Sequence, residues 1–251
     1  MKKFQNIIYK NISLITIFLI ILLWWFISYT QIVPDFMLPS PQDVALAFFI
    51  DFKLISQHLL VTIFEAITGL LLSVIFSFVL AILMDRYNIF YKAIYPLLVI
   101  SQTIPIIAIA PIIVLWFGFG IIPKIILIFS TCFFPMTISI FTGFNNVDKD
   151  MLKLIQSMDK KYIKTLCFVK IPLSLKNFFS GLKISSTYAI VGAVVAEWLG
   201  GEKGIGVYMI RAKKAYAFDK MFASIIIVSI TSLLLVWFVK YLENKVIYWK
   251  E

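Results

Sequence analysis

Glu65 is the first residue in this chain whose position calls for chemistry. It interrupts an otherwise uncharged stretch over 59–84 and stands about two helical turns from the single histidine, His58. A carboxylate at that depth is a functional hypothesis by default, because a charge in the bilayer core costs about 2.5 kcal/mol or more. Yet one acid makes no relay, and an ion-coupled carrier or channel ordinarily needs several buried ionisable or coordinating groups. His58 reads as an interfacial residue. A second set of polar groups lies at intermediate depth: Ser101, Gln102 and Thr103, then Thr131, Thr137 and Ser139, then Ser185, Ser186 and Thr187. They could line a path for a solute or hydrogen-bond one helix to another. Gln102 and Thr103 are the better candidates for a path, since Pro105 would free backbone carbonyls beside them. Glu197 and Trp198 are candidates either for the mouth of that path or for an interfacial anchor.

A third set is basic and amphipathic. Met151, Leu154, Ile155, Met158, Tyr162, Ile163 and Leu166 recur at helical spacing, with Lys149, Lys153, Lys160, Lys161 and Lys164 largely on other faces. Such a helix pair would lie on anionic headgroups or dock in a partner's groove. The glycines Gly200, Gly201, Gly204 and Gly206 follow no strand, so they read as a helix-ending turn rather than a phosphate cradle. The sequence contains no G-x-x-x-x-G-K-[ST], H-E-x-x-H or G-x-S-x-G. It therefore reads as a non-catalytic chain with no metal and no cofactor. Cys132 lies in a hydrophobic run and Cys167 in a lysine-rich loop, neither beside a metal ligand, and together they make no disulfide scaffold.

The elements that must position these groups are membrane helices. Of 251 residues, 61% are hydrophobic and 14% charged, with a mean hydropathy of +0.97. Soluble domains run at roughly 45–50% apolar and ~25% charged. The fold class is an all-α membrane protein, a single transmembrane domain over 1–251, with six spans predicted at 12–29, 59–84, 94–116, 121–144, 182–199 and 221–239. The first exceeds the ~7–15 residue core of a signal peptide and lacks an A-x-A exit, so it is expected to be an uncleaved span. In the fifth, Lys183 and Glu197 must sit at the two interfaces. Placing both termini in the cytoplasm puts most Lys and Arg inside, the largest group falling in the loop 145–180 between spans four and five. The fifth loop, with Lys203, Arg211, Lys213, Lys214 and Lys220, runs against that orientation, but the fourth outweighs it. The net charge of +10 thus sets membrane orientation and implies no nucleic-acid partner. Pro96, Pro105, Pro111, Pro123 and Pro135 predict kinks in spans three and four.

The segment DMLKLIQSMDKKYIKTLCFVKIP at 150–172 resembles the cytoplasmic "EAA" loop of binding-protein-dependent ABC importer permeases. Aligned on Pro172, Lys153, Leu154 and Ile155 take the E-A-A positions and Asp159 the glycine, so spacing, helix-turn-helix character and the proline carry the likeness rather than the letters. LPSPQDV at 38–44, YPLLVISQTIPIIAIAPIIVLWFGFG at 95–120 and FFSGLKISSTYAIVGAVVAEWLGGEKGIG at 178–206 resemble the group serving nitrate, sulfonate, taurine and thiamine-precursor importers. SQTIPIIAIAP, the CFFP at 132–135, and FSGLKISSTY with EWLG are most similar to permeases for the hydroxymethylpyrimidine precursor of thiamine.

The resemblance implies a homodimer of six-span subunits, two cytoplasmic ATP-binding subunits docked at the loops, and an extracytoplasmic substrate-binding protein. It implies coupling to the ATPase through Leu154, Ile155, Met158, Asp159, Lys160 and Pro172. The translocation path would run past Ser101, Gln102, Thr103, Ser186, Thr187 and Glu197. Concentrating a solute a thousandfold costs roughly 4 kcal/mol at ~1.4 per decade, and this chain has no nucleotide motif to supply it. Two other classes compete: a secondary carrier coupled through Glu65, and a structural or sensory protein whose basic loop only binds lipid. Polarity alone suits a pyrimidine, a sulfonate or a small anion about equally, and the lack of an interior Arg or Lys along the spans favours a neutral solute.

Overall fold

The structure, a computed structural model, describes residues 2–158 and 161–248; the side chains of 2–11, 13, 149, 154, 156 and 158 also lie outside the described set. Among the described residues the chain is helical without a strand. The helices are α1 Lys2–Tyr29, α2 Pro41–Ile50, α3 Phe52–Arg86, α4 Asn88–Ser101, α5 Ile106–Phe117, α6 Ile121–Asn145, α7 Lys149–Met158, α8 Tyr162–Thr165, α9 Ile171–Gly200, α10 Ile205–Lys214 and α11 Phe218–Val246. A π-helical turn, Leu166–Lys170, joins α8 to α9. Among the described residues, four helical stretches are long and apolar enough to cross a bilayer: Phe52–Arg86, Ile121–Asn145, Tyr162–Gly200 and Phe218–Val246. Large apolar side chains stand exposed along α3 and α11, such as Ile75 and Leu233. In water that would be a broad apolar patch; against lipid it costs nothing.

Two expectations change. The stretch 94–116 is not one continuous helix: α4 and α5 are separate helices bent by 104° across the break between them. Pro105 is the N-cap of α5 in extended backbone, and the preceding turn closes through Thr103 N–H to the Ile100 carbonyl at 3.0 Å. Pro96 and Pro111 lie inside their helices, as does Pro135 in α6. The segment expected at 182–199 belongs to a much longer helix, because α8, the π turn and α9 form one apolar run from Tyr162. Pro172 has no N–H to offer the carbonyl four residues back, and the turn before it widens to the π form, with Ile171 N–H reaching Leu166.

The chain divides into two compact units, Met1–Gln57 with Tyr208–Ile227, and His58–Val207 with Val228–Glu251. In the first, the LPSPQDV segment forms a capping box. Asp43 N–H donates to Ser40 Oγ at 3.1 Å, Ser40 N–H donates to Asp43 Oδ2 at 3.3 Å, and Pro41 opens α2. Val44 and Ala47 of α2 then bury against Ala223, with Trp24, Phe48 and Phe222 around them. Lys220 Nζ pairs with Asp51 at 2.7 Å and the Tyr208 hydroxyl donates to the same oxygen at 2.8 Å. The Lys220 hydrogen bond holds the Asp51 carboxyl below its ordinary value; burial opposes this and Tyr208 assists.

In the second unit, α6 and α9 pack along a seam of small residues. A Cβ at Gly181 would lie 2.5 Å from Ser139 Cβ, and one at Gly143 would lie 2.7 Å from Ser174 Cβ. The missing side chains are what let the two backbones approach. Met136, Ile140 and Phe144 of α6, each 1% exposed or less, form the core beside this seam with Ala81 and Met84 of α3 and Leu98 of α4.

Candidate functional site

The break between α4 and α5 opens a cleft of ≈ 360 Å³ against α6 and α9. Ser101, Gln102, Pro105 and Ile109 line one side, Ser130, Thr131 and Phe134 come from α6, and Tyr188, Val191 and Gly192 from α9. The geometry follows from local chemistry. Pro105 ends hydrogen bonding across the break, and Gly192, whose Cβ would stand 3.0 Å from Thr131 Oγ1, lets α9 approach α6 beside the opening. Among the described residues no charged side chain lines this cleft. The structure therefore brings Ser101 and Gln102 together, with Thr103 in the same turn and exposed. Ser186 is buried and donates to the Leu182 carbonyl at 2.7 Å, while Thr187 is exposed and donates to the Lys183 carbonyl at 3.4 Å. Neither lines the cleft.

Glu197 stands elsewhere, in a buried polar cluster that sequence reasoning missed. Its Oε1 accepts from the Thr62 hydroxyl at 2.6 Å and its Oε2 from Gly206 N–H at 2.6 Å. Thr62 Oγ1 accepts from Ile205 N–H at 2.8 Å, and His58 Nδ1 accepts from Gly204 N–H at 3.0 Å. These are successive amides at the start of α10, which a helix leaves unpaired and which attract negative charge. His58, read from the sequence only as interfacial, is 6% exposed and serves as an acceptor for this turn. The glycine cluster also divides. Gly200 and Gly201 end α9 as expected, but Gly204 and Gly206 open α10. Gly204 adopts φ +126°, and a Cβ there would overlap the Glu197 carboxylate.

Nor is Glu65 alone. Lys124 Nζ pairs with its Oε1 at 2.7 Å, with the side chains 8% and 2% exposed. The same ammonium donates to the Lys203 carbonyl at 3.3 Å. Lys124 is buried in α6, so the expectation of no interior Lys along the spans is corrected: one is present, but it is paired and away from the cleft. A buried pair of this kind needs near-ideal geometry to offset desolvation. Glu65 Oε2 has no hydrogen-bond partner among the described residues.

At the other end of α3, Asp85 accepts from the Tyr162 hydroxyl at 2.8 Å and from Lys170 Nζ at 2.5 Å. The Arg86 guanidinium lies 4.6 Å from the centre of the Tyr162 ring. These contacts tie the second arm of the 145–180 segment to α3. Met151 of α7 and Ile163 of α8 are exposed at 45% and 71%, and Ile155 is half-buried. Pro172 lies in the first turn of α9. Asp159 and Lys160 lie outside the described residues, as do the side chains of Leu154 and Met158.

Residues 73–248 match the family described as "Binding-protein-dependent transport system inner membrane component". The chain is 34% identical over 244 residues to the formylaminopyrimidine transport permease protein ThiX of Halalkalibacterium halodurans, covering 97% of this chain and 98% of that one. It is 31% identical over 234 residues to the putative aliphatic sulfonates transport permease protein SsuC of Bacillus subtilis, covering 92% and 85% respectively. Among solved structures, a chain of the MetNI methionine ABC transporter in an inward-facing conformation superposes with a TM-score of 0.56 at 14% identity, over 76% of this chain and 94% of that one. That likeness concerns the fold.

Proposed function

We propose that this chain, which belongs to the family of binding-protein-dependent transport system inner membrane components, is the membrane subunit of an ATP-driven importer. It is a multi-pass protein of the cytoplasmic membrane. In the working assembly two copies cross the bilayer six times each with both termini in the cytoplasm. The α4–α5 pair counts as one broken span and α1 as the first. Separate ATP-binding subunits supply the energy, and an extracytoplasmic binding protein delivers the solute. The solute passes the turn carrying Ser101, Gln102 and Thr103.

The observation that carries this reading is the arm 149–165. It leaves Met151 and Ile163 exposed in a lysine-rich stretch, while Tyr162 and Lys170 anchor its base to Asp85. An exposed apolar face on a short helix, fixed at one end to a long helix that crosses the bilayer, is suited to transmit a push from a docked partner. Ile155, with the flanking Leu154, Met158, Asp159 and Lys160, belongs to that docking surface.

For the cargo we favour a thiamine-precursor pyrimidine. The relative from Halalkalibacterium halodurans bears a pyrimidine name, and the cleft has no charged lining. The relative from Bacillus subtilis favours a second reading, a sulfonate. In proteoliposomes holding the complete importer, Ile155→Glu should cut ATP-dependent uptake at least tenfold, equivalent to about 1.4 kcal/mol, with membrane insertion intact. Glu65→Gln should leave uptake dependent on ATP. Undiminished transport in Ile155→Glu would remove the coupling assignment. Uptake driven by a proton gradient and lost in Glu65→Gln would replace it with a secondary carrier.

A further inference from the structure

The hydroxyls of the cleft do not all offer the same chemistry. Ser101 Oγ donates to the Leu98 carbonyl at 2.8 Å, Ser130 Oγ to Ile126 at 2.8 Å, and Thr131 Oγ1 to Ile128 at 2.7 Å. Each proton is committed to its own helix, so these oxygens present lone pairs to the cleft. Among the described residues the Gln102 amide and the Tyr188 hydroxyl make no hydrogen bond, and both line the opening. Phe134 and Tyr188 supply aromatic surface. The inventory is thus rich in acceptors, poor in donors and uncharged.

An oxyanion asks for the reverse. Sulfonate and nitrate are acceptors only, and sites that hold such groups converge Arg, Lys or several backbone N–H groups on them. A small planar ring bearing an amino or formylamino group fits what is present. Its N–H groups can meet the serine and threonine lone pairs, its ring nitrogen can accept from the Gln102 amide, and its faces can lie against aromatic carbon. The volume falls within the usual range of small-ligand pockets.

We propose that this cleft is a ligand subsite within each permease subunit, taking an uncharged, hydrogen-bond-donating heteroaromatic ring, and that Gln102 is its specificity-determining residue. The proposal rests on the importer reading above and adds that the permease itself discriminates, beyond any selection by the delivering protein. Gln102 stands at the end of α4, where the turn to α5 leaves its side-chain amide unspent, so the bend that opens the cleft also supplies a group able both to donate and to accept.

The test uses the complete importer in proteoliposomes, with formylaminopyrimidine and taurine as probes and co-purification with the ATP-binding subunits as the control for assembly. Gln102→Leu should lower formylaminopyrimidine uptake at least about tenfold, since a site built to hydrogen-bond rejects strongly once a partner is lost. Co-purification of the variant with its ATP-binding subunits should match the parent, because the docking arm is untouched. Tyr188→Phe removes one hydroxyl without changing the packing and should give a smaller loss in the same direction. Gln102→Leu and Tyr188→Phe that both carry the pyrimidine at the parent rate would overturn the subsite while leaving the importer standing. A parent complex that carries taurine and not the pyrimidine would overturn the ligand class. A parent complex that moves neither with ATP would instead overturn the importer reading with this cargo.

Discussion

At the scale of single residues, the most demanding arrangement is the buried cluster around Glu65, Lys124 and Glu197. Removing one member of a buried ion pair leaves its partner desolvated and uncompensated, which costs about 3–5 kcal/mol. Lys124→Met should lower stability by that order, measured as thermal unfolding of the purified permease in detergent. Adding Glu65→Leu should recover the greater part, because the pair is then replaced by apolar groups of similar size. Additive losses in the double variant would argue that the two residues do not act as a pair. None of this was legible in the chain, since Lys124 and Glu65 are separated by 59 positions and Thr62 and Glu197 by 135. The one available signal was a carboxylate in an apolar run, which announced that a partner must exist without naming it.

At the scale of elements, the α6–α9 seam turns on Gly181 facing Ser139 and Gly143 facing Ser174. Because the atom opposite Gly181 is a Cβ carried directly on the backbone, a methyl there cannot be accommodated by rotating a side chain. Gly181→Ala should cost about 1–3 kcal/mol, the range for overpacking, and Ser139→Gly should restore part of it. Thermal unfolding of the two single variants and the pair measures this; an Ala variant as stable as the parent would show that the helices can separate freely. Helix positions were readable from uncharged runs, because a bilayer admits few other spanning structures. The α4–α5 bend was foreshadowed by Pro105, but its size was not, since a proline frees a carbonyl without dictating where the following helix goes.

At the scale of the whole molecule, the proposed orientation puts the loop 145–180 in the cytoplasm. Cys167 in that loop is exposed and Cys132 is buried, so a membrane-impermeant thiol reagent distinguishes the two faces. We expect Cys167 to be labelled in inside-out vesicles and protected in intact cells, with Cys132 silent in both. Labelling of Cys167 from the cell exterior would invert the topology and remove the ATPase from its docking arm. Under the proposed function, the exposed Met151 and Ile163 are covered by the docked ATP-binding subunit.

What the amino-acid order determined alone was class, and it supplies the basis on which a topology is proposed. A hydropathy of +0.97 compels membrane helices, and the lysine distribution points the long loop inward. The cleft, the side-chain acceptors that meet the amides at the start of α10 and the anchoring of Tyr162 to Asp85 were decided only in three dimensions. Burial and charge act on every residue one at a time and leave a trace in composition. Hydrogen bonding and close packing act between residues distant in the chain, and they become visible only once the helices have been brought together.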